Sequence, residues 1–114
     1  MKTVTLYCSN PMIEKLLELV FKEQNIKLYS YQTAKECLYH TEQLQPDLLL
    51  VGYPEWVNDL SANLDHGKKD TEIPVVVIHS ALIKPQNKMI GTLLTPLKPL
   101  EVVEQLETIL AENR

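Results

Sequence analysis

Short runs of β-favouring residues alternate five times with stretches whose apolar residues recur every three or four positions. Residues 3–8 read as a first strand, with Val4 and Leu6 set among Thr and Tyr. Ser9-Asn10-Pro11 then has the form of a helix start, Asn10 as N-cap and Pro11 at the first helical position. Ile13, Leu16, Leu17, Val20 and Phe21 follow at the spacing of one buried helical face. Residues 26–31 give a second strand. Thr33-Ala34-Lys35-Glu36 is a Thr-x-x-Glu capping box that opens a helix reaching Leu44 and stopped by Pro46.

The run 47–52, Asp-Leu-Leu-Leu-Val-Gly, is apolar without alternation, which suits a central parallel strand covered on both faces. Residues 53–71 offer a weak helical stripe of Val57, Leu60 and Leu64, then a polar loop, His66-Gly67-Lys68-Lys69-Asp70. Residues 74–78 form a second fully apolar strand. Residues 81–89 should hold a fourth helix, short or irregular because Pro85 lies inside it, at a cost of about 3 kcal/mol outside a first turn. Residues 92–97 read as a fifth strand, with Pro96 inside it. Proline removes a ladder donor, which places that strand at a sheet edge. After Lys98-Pro99 the last helix carries an apolar stripe of Val102, Val103, Leu106, Ile109 and Leu110. The expectation is one domain over residues 1–114: an α/β, (βα)5 doubly wound five-stranded parallel sheet with helices on both faces.

Composition narrows the function classes. Hydrophobic residues make up 45% and charged residues 23%, which is globular rather than disordered. Fifteen acidic against eleven basic residues leave a net charge of −4. That balance argues against electrostatic binding to nucleic acid or to a lipid surface. The one basic run, Lys68-Lys69, is followed by Asp70 and Glu72 and reads as a solvated face. No signal-peptide pattern and no run of roughly 20 apolar residues occurs, so the expected location is cytoplasmic. Two cysteines, Cys8 and Cys37, are too few for a disulfide framework.

Over essentially the whole chain the sequence resembles the response-regulator receiver family. The resemblance is carried by Asn10-Pro11 after the first strand, by Pro46-Asp47-Leu48-Leu49-Leu50-Val51, by Ile73-Pro74-Val75-Val76-Val77-Ile78 and by Leu97-Lys98-Pro99-Leu100. It implies a flavodoxin-like sheet of order 2-1-3-4-5 with the site at the carboxyl ends of the strands. It also implies two acids after strand one for Mg²⁺, a phosphoacceptor aspartate closing strand three, a Thr or Ser closing strand four and a lysine after strand five. Carried over, Cys8 and Ser9 stand where the acids belong, Gly52 where the phosphoacceptor belongs, and His79 at the hydroxyl position. Ser80 takes that position if the register slips by one, and Lys98 matches the lysine. The family's aromatic switch residue corresponds to Thr95, and Tyr53-Pro54-Glu55-Trp56 departs from the family's loop.

A thiol, a hydroxyl and a glycine offer Mg²⁺ no carboxylate and phosphoryl transfer no nucleophile. The reading is therefore a degenerate pseudo-receiver: not an enzyme, with no cofactor and no metal, a protein–protein interaction module in signal transduction. Its partners would be signalling proteins, a histidine kinase or another regulator, or a second copy docking through the face of the fourth helix, fifth strand and fifth helix. Candidate interface residues are Trp56, Lys84, Thr95, Leu97 and Val103, with Trp56 weighed against simple packing. Asp47 reads as structural, and His40 and His66 as surface positions. Two alternatives stand beside this reading. One is a phosphoaccepting receiver whose site has shifted to an acid such as Asp59 beside Lys98. The other is a small redox or ligand sensor using Cys8, which requires a low thiol pKa; a thiolate–imidazole nucleophile of Cys8 and His79 is outweighed by a buried thiol and a packed histidine.

Overall fold

The computed structural model describes residues 1–60, 73–85 and 89–112. In chain order the elements are β1 (Thr3–Tyr7), α1 (Pro11–Glu23), β2 (Lys27–Tyr31), α2 (Ala34–Leu44) and β3 (Leu48–Gly52). Then come α3 (Tyr53–Glu55), continued by a π-helical turn (Trp56–Leu60), β4 (Val75–His79), β5 (Met89–Leu94) and α4 (Val102–Glu112). All five strands are parallel, in the order β2-β1-β3-β4-β5. The doubly wound fold expected from the alternation is the one observed.

Local chemistry sets the helix starts. Asn10 Oδ1 accepts hydrogen bonds from the backbone N–H of Met12 (2.9 Å) and Ile13 (3.3 Å), with Pro11 at the first helical position. Thr33 Oγ1 accepts from Glu36 N at 3.2 Å and donates to the Glu36 carboxylate at 3.2 Å, a variant of the capping box. Gln45, with φ of 50°, turns the chain out of α2 before Pro46.

Alternation along the strands divides the core in two. On one face Val4, Leu6, Leu50, Val76, Ile78 and Leu93 pack under α1 and α4, whose Leu17, Val20, Phe21, Val102 and Leu106 are buried. On the other, Tyr7, Leu49, Val51, Val75, Val77 and Met89 meet Cys37 of α2 and Trp56 and Leu60 of the α3 region. Both neighbours of the central strand are paired, and all five residues of β3 are buried, as its unbroken apolar run requires. Asp47, just before β3, accepts from Lys2 N (2.6 Å) and Thr3 N (3.0 Å), which ties down the start of β1. The Lys2 and Thr3 amides hold its carboxyl below the usual range, against an opposing push from partial burial. It is a structural acid at the opposite end of the sheet from Gly52.

Three expectations require correction. The fourth helix over 81–89 does not form in its described part: residues 81–85 are not helical, and Met89 begins β5. Ile83 N donates instead to Thr92 Oγ1 at 3.0 Å, so this segment is fastened to β5, and Pro85 offers no N–H to a helix. The fifth strand spans Met89–Leu94 rather than 92–97, as its pairing with Val75–His79 of β4 sets it, and α4 lies close against it at Gly91. A Cβ on Gly91 would stand 2.8 Å from Ile109 Cγ2. Pro96 falls beyond the strand, across a cis Thr95–Pro96 bond, so the strand's edge position owes nothing to it. The stripe after β3 is Trp56 and Leu60 rather than Val57 and Leu60: the π turn faces the first two inward and leaves Val57 half exposed. Leu64, His66, the Lys68-Lys69 run and the rest of the 66–70 loop lie outside the described residues.

Candidate functional site

The carboxyl ends of β1, β3 and β4 bring Cys8, Ser9, Gly52 and His79 to one rim of the sheet, where an open α/β sheet places its ligand site. Gly52 closes β3 and serves as N-cap of the short α3, with Tyr53, Pro54 and Glu55 as its first three residues. In a capping box the side chain at the third helical position turns back over the N-cap. Glu55 occupies that position, and its carboxylate lies over Gly52. A Cβ built on Gly52 would overlap Glu55 Oε1 and stand 3.1 Å from Cys8 Sγ. Gly52 has φ of −65° and ψ of 148°, a conformation open to any residue, and the atom that a Cβ there would meet first is the far end of the Glu55 side chain.

From the loop just past β1, Ser9 Oγ donates to Glu55 Oε2 at 2.8 Å. Glu55 is only 8% exposed. This carboxylate is the site residue that sequence reasoning missed. The signal was present as Gly-x-x-Glu at a strand-to-helix junction, a capping box lacking its hydroxyl.

Around it, Tyr53 stacks on His79 with ring centroids 3.9 Å apart and planes 16° from parallel, joining the ends of β3 and β4. The backbone N–H of Thr95 donates to the carbonyl of His79 at 3.0 Å and carries the connection to the end of β5. Cys8 is buried, and burial pushes its thiol up, with the nearby Glu55 and Glu14 carboxylates acting in the same direction against a backbone hydrogen bond from Asn10. A thiol activated as a nucleophile has the opposite shift. Asp59 accepts from the Tyr7 hydroxyl at 2.8 Å. Burial first, then this hydrogen bond and the charges of Asp59 and Glu55, drive the Tyr7 phenol up to about 12.

Lys98 is exposed and lies past β5, where its carbonyl accepts from Glu101 N (2.8 Å) and Val102 N (3.1 Å) and opens α4. Because β5 ends at Leu94, the residue that directly follows the strand is Thr95. Lys98 forms no ion pair among the described residues, and the acid at the rim is Glu55. Trp56 is 2% exposed within the core, so it packs rather than serving as a surface anchor. Lys84 is exposed, and Leu97 and Val103 are partly buried against the core beneath α1 and α4. Among the rim residues described, Glu55 brings a carboxylate already engaged by the Ser9 hydroxyl, beside the Cys8 thiol and Gly52, whereas Mg²⁺ prefers several free oxygen ligands. Among the described residues no three His, Cys, Asp or Glu side chains are grouped to hold a metal ion. None of their helices is long and apolar enough to cross a membrane.

No protein-family model matches the sequence, and no curated protein is similar to it at a significant level. Solved structures do match in fold. The chemotaxis response regulator CheY4 of Vibrio cholerae superposes with a TM-score of 0.77 at 13% identity, covering 96% of this chain and 98% of that one. The receiver domain of the Francisella response regulator 1452 covers all of both chains with a TM-score of 0.74 at 14% identity. A response-regulator receiver domain protein from Bacillus halodurans gives 0.69 at 18% identity over 95% and 96%. These likenesses establish the receiver fold.

Proposed function

We propose that this chain is a receiver-like signalling module that works by binding another protein and does not accept phosphoryl groups. The observation that carries this reading is the end of β3: Gly52 offers no nucleophile, and the space over it holds the carboxylate of Glu55, bound to Ser9. Phosphoryl transfer depends on a positioned nucleophile and on charge neutralisation by a metal or cations. Among the described residues, Cys8, Ser9 and Gly52 bring neither an acceptor carboxylate nor a carboxylate ligand for Mg²⁺ to the rim. The test is an amide NMR spectrum of the labelled protein before and after Mg²⁺ and beryllofluoride. The signals of Gly52, His79 and Lys98 should stay where they are. Specific, saturable shifts there would mean a working phosphoacceptor site.

For the binding surface we favour the edge of the sheet where β5 meets α4. A groove of about 390 Å³ runs there over Leu94 and Ile109, flanked by Glu101 and Glu104. Leu94 is 41% exposed although it lies in a strand. Thr95 follows β5 directly, Lys84 lies in the segment fastened to β5 through Ile83, and Leu97 and Val103 pack against the core beneath α1 and α4 rather than lining the groove. An apolar floor with an acidic rim suits a signalling partner that presents an apolar anchor next to a basic residue. That description fits a kinase or another regulator in the cytoplasm, and a second copy of the chain is the competing occupant. For a partner seated here, Glu104→Lys should weaken binding roughly tenfold. Unchanged affinity in a titration calorimetry series would move the surface elsewhere.

A further inference from the structure

The two edges of the sheet are finished differently. At β5 the pairing with β4 is interrupted between Val75 and Val76, and the segment before the strand is fastened to Thr92 through the Ile83 amide. At β2 the pairing with β1 runs without interruption from Lys27 to Tyr31, and among the described residues no strand lies along its outer side. Proteins blunt such an edge with proline, a bulge or several charges. β2 has no proline and no bulge, and Lys27, at its first position, is its one charged residue. Lys27 N donates to Lys2 O in β1, so by strand alternation Leu28 and Ser30 turn their backbone N–H and C=O outward. Lys27, Tyr29 and Tyr31 share the sheet face that α2 covers. There Tyr31 stacks on His40 with ring centroids 5.0 Å apart, and His40 meets Tyr39 edge-on at 5.1 Å. Tyr29 and Tyr39 are both exposed. The open edge is therefore also an aromatic one, the composition that protein interfaces favour.

We propose that β2 is the seam of a homodimer in which two copies of the chain pair antiparallel about Tyr29. In this register Leu28 of one copy lies opposite Ser30 of the other, and the two exchange both backbone hydrogen bonds. The two-fold axis repeats the exchange, so every outward group of Leu28 and Ser30 is paired. Other centres waste them. Centred on Leu28, Ser30 would face Ile26, whose amide already donates to Phe21 O. Centred on Ser30, Leu28 would face Gln32, beyond the end of the strand. About Tyr29 the side chains match as well: the two Tyr29 rings meet on the axis, and each Lys27 ammonium lies opposite a Tyr31 ring. The two Lys27 residues stand about 14 Å apart at about 3.4 Å per residue, beyond the screening length of about 8 Å, so they do not repel. An isologous pair of this kind closes on itself and leaves no edge for a third chain at β2. The groove at β5 and α4 lies at the opposite edge of the sheet and stays free, so the dimer presents two such grooves.

Sedimentation equilibrium of the full chain, diluted from about 1 mM to about 1 μM, should show a reversible passage from twice the chain mass to one. Tyr29→Lys sets two ammoniums together on the axis and should raise the dissociation constant by about tenfold or more, with an unchanged circular dichroism spectrum. Glu104→Lys, at the other edge, should leave the constant as in wild type. The register has its own readout. A non-hydrogen-bonded antiparallel pair stands about 4.5 Å apart at Cα, within reach of a disulfide. Tyr29→Cys should therefore form a covalent dimer under copper–phenanthroline oxidation, and Lys27→Cys should not. The native thiols, Cys8 and Cys37, are buried. A wild-type chain that stays monomeric at about 1 mM would overturn the proposal. So would a dimer that Glu104→Lys dissociates and Tyr29→Lys does not, or cross-linking that is equal at positions 27 and 29. None of these readouts depends on whether the chain accepts phosphoryl groups.

Discussion

Trp56→Ala should remove about 3–5 kcal/mol of unfolding free energy, the largest single loss expected in the chain. The indole is 2% exposed and is among the largest fully buried side chains. It packs with Leu49, Val51, Leu60, Val75, Val77 and Met89, on the face of the sheet away from α1 and α4. Removing it leaves a cavity that rigid β-strands on one side cannot collapse to fill, so both the transfer and the cavity contributions apply. A domain of this size has about 5–15 kcal/mol of stability in total, so the variant should be largely unfolded in mild urea. Urea unfolding followed by circular dichroism measures the loss. Trp56→Phe, which keeps most of the apolar volume, should lose clearly less. A loss under about 1 kcal/mol for the alanine variant would mean that the indole is not a core residue. The chain has a single tryptophan, so wild-type indole fluorescence reports this half of the core directly.

Gly52→Asp should not create a phosphoacceptor, although the position is the one that the receiver resemblance assigns to it. The new Cβ would overlap Glu55 Oε1, and the new carboxylate would enter a buried space that already holds one. Two carboxylates in one buried site repel, and the cheaper outcome is protonation of one of them or displacement of α3. The expected loss is about 2–4 kcal/mol of stability. No acyl phosphate should form with acetyl phosphate and Mg²⁺, because Cys8 and Ser9 still supply no carboxylate for the metal. Intact-protein mass spectrometry reads the phosphoryl group and thermal melting reads the stability. A stable variant that gains the mass of a phosphoryl group would show that glycine at position 52 was the only obstacle.

Much of the architecture was legible because it depends on neighbours within a few residues. The caps at Asn10 and Thr33, the stripe from Ile13 to Phe21, and the unbroken apolar runs of β3 and β4 all follow from helix and strand periods. Those runs also implied helices on both faces, which is what divides the core in two. The misreadings fall where a contact distant in sequence outweighed the local pattern. Ile83 is fastened to Thr92, which keeps 81–85 out of a helix. Residues 89–91 fall outside the strand expected at 92–97, and pairing with β4 brings them into it. Trp56 and Val57 are adjacent apolar residues, and only the π turn decides which one enters the core.

The sequence by itself determined the alternation behind the five parallel strands, the starts of the first two helices, and the identities of Cys8, Ser9 and Gly52 at the strand ends. These are matters of period, capping chemistry and residue identity. Tertiary structure alone decided that a carboxylate is present at the site after all. Glu55 arrives over Gly52 because a helix starts there, and Ser9, from the loop after β1, donates to it at 2.8 Å. Tertiary structure also decided that Lys98 stands away from the strand end, because β5 begins and ends earlier than its proline suggested. The division has one physical cause. Capping and periodicity act over a few residues along the chain, whereas a site at strand ends is assembled by pairing strands that the sequence keeps far apart.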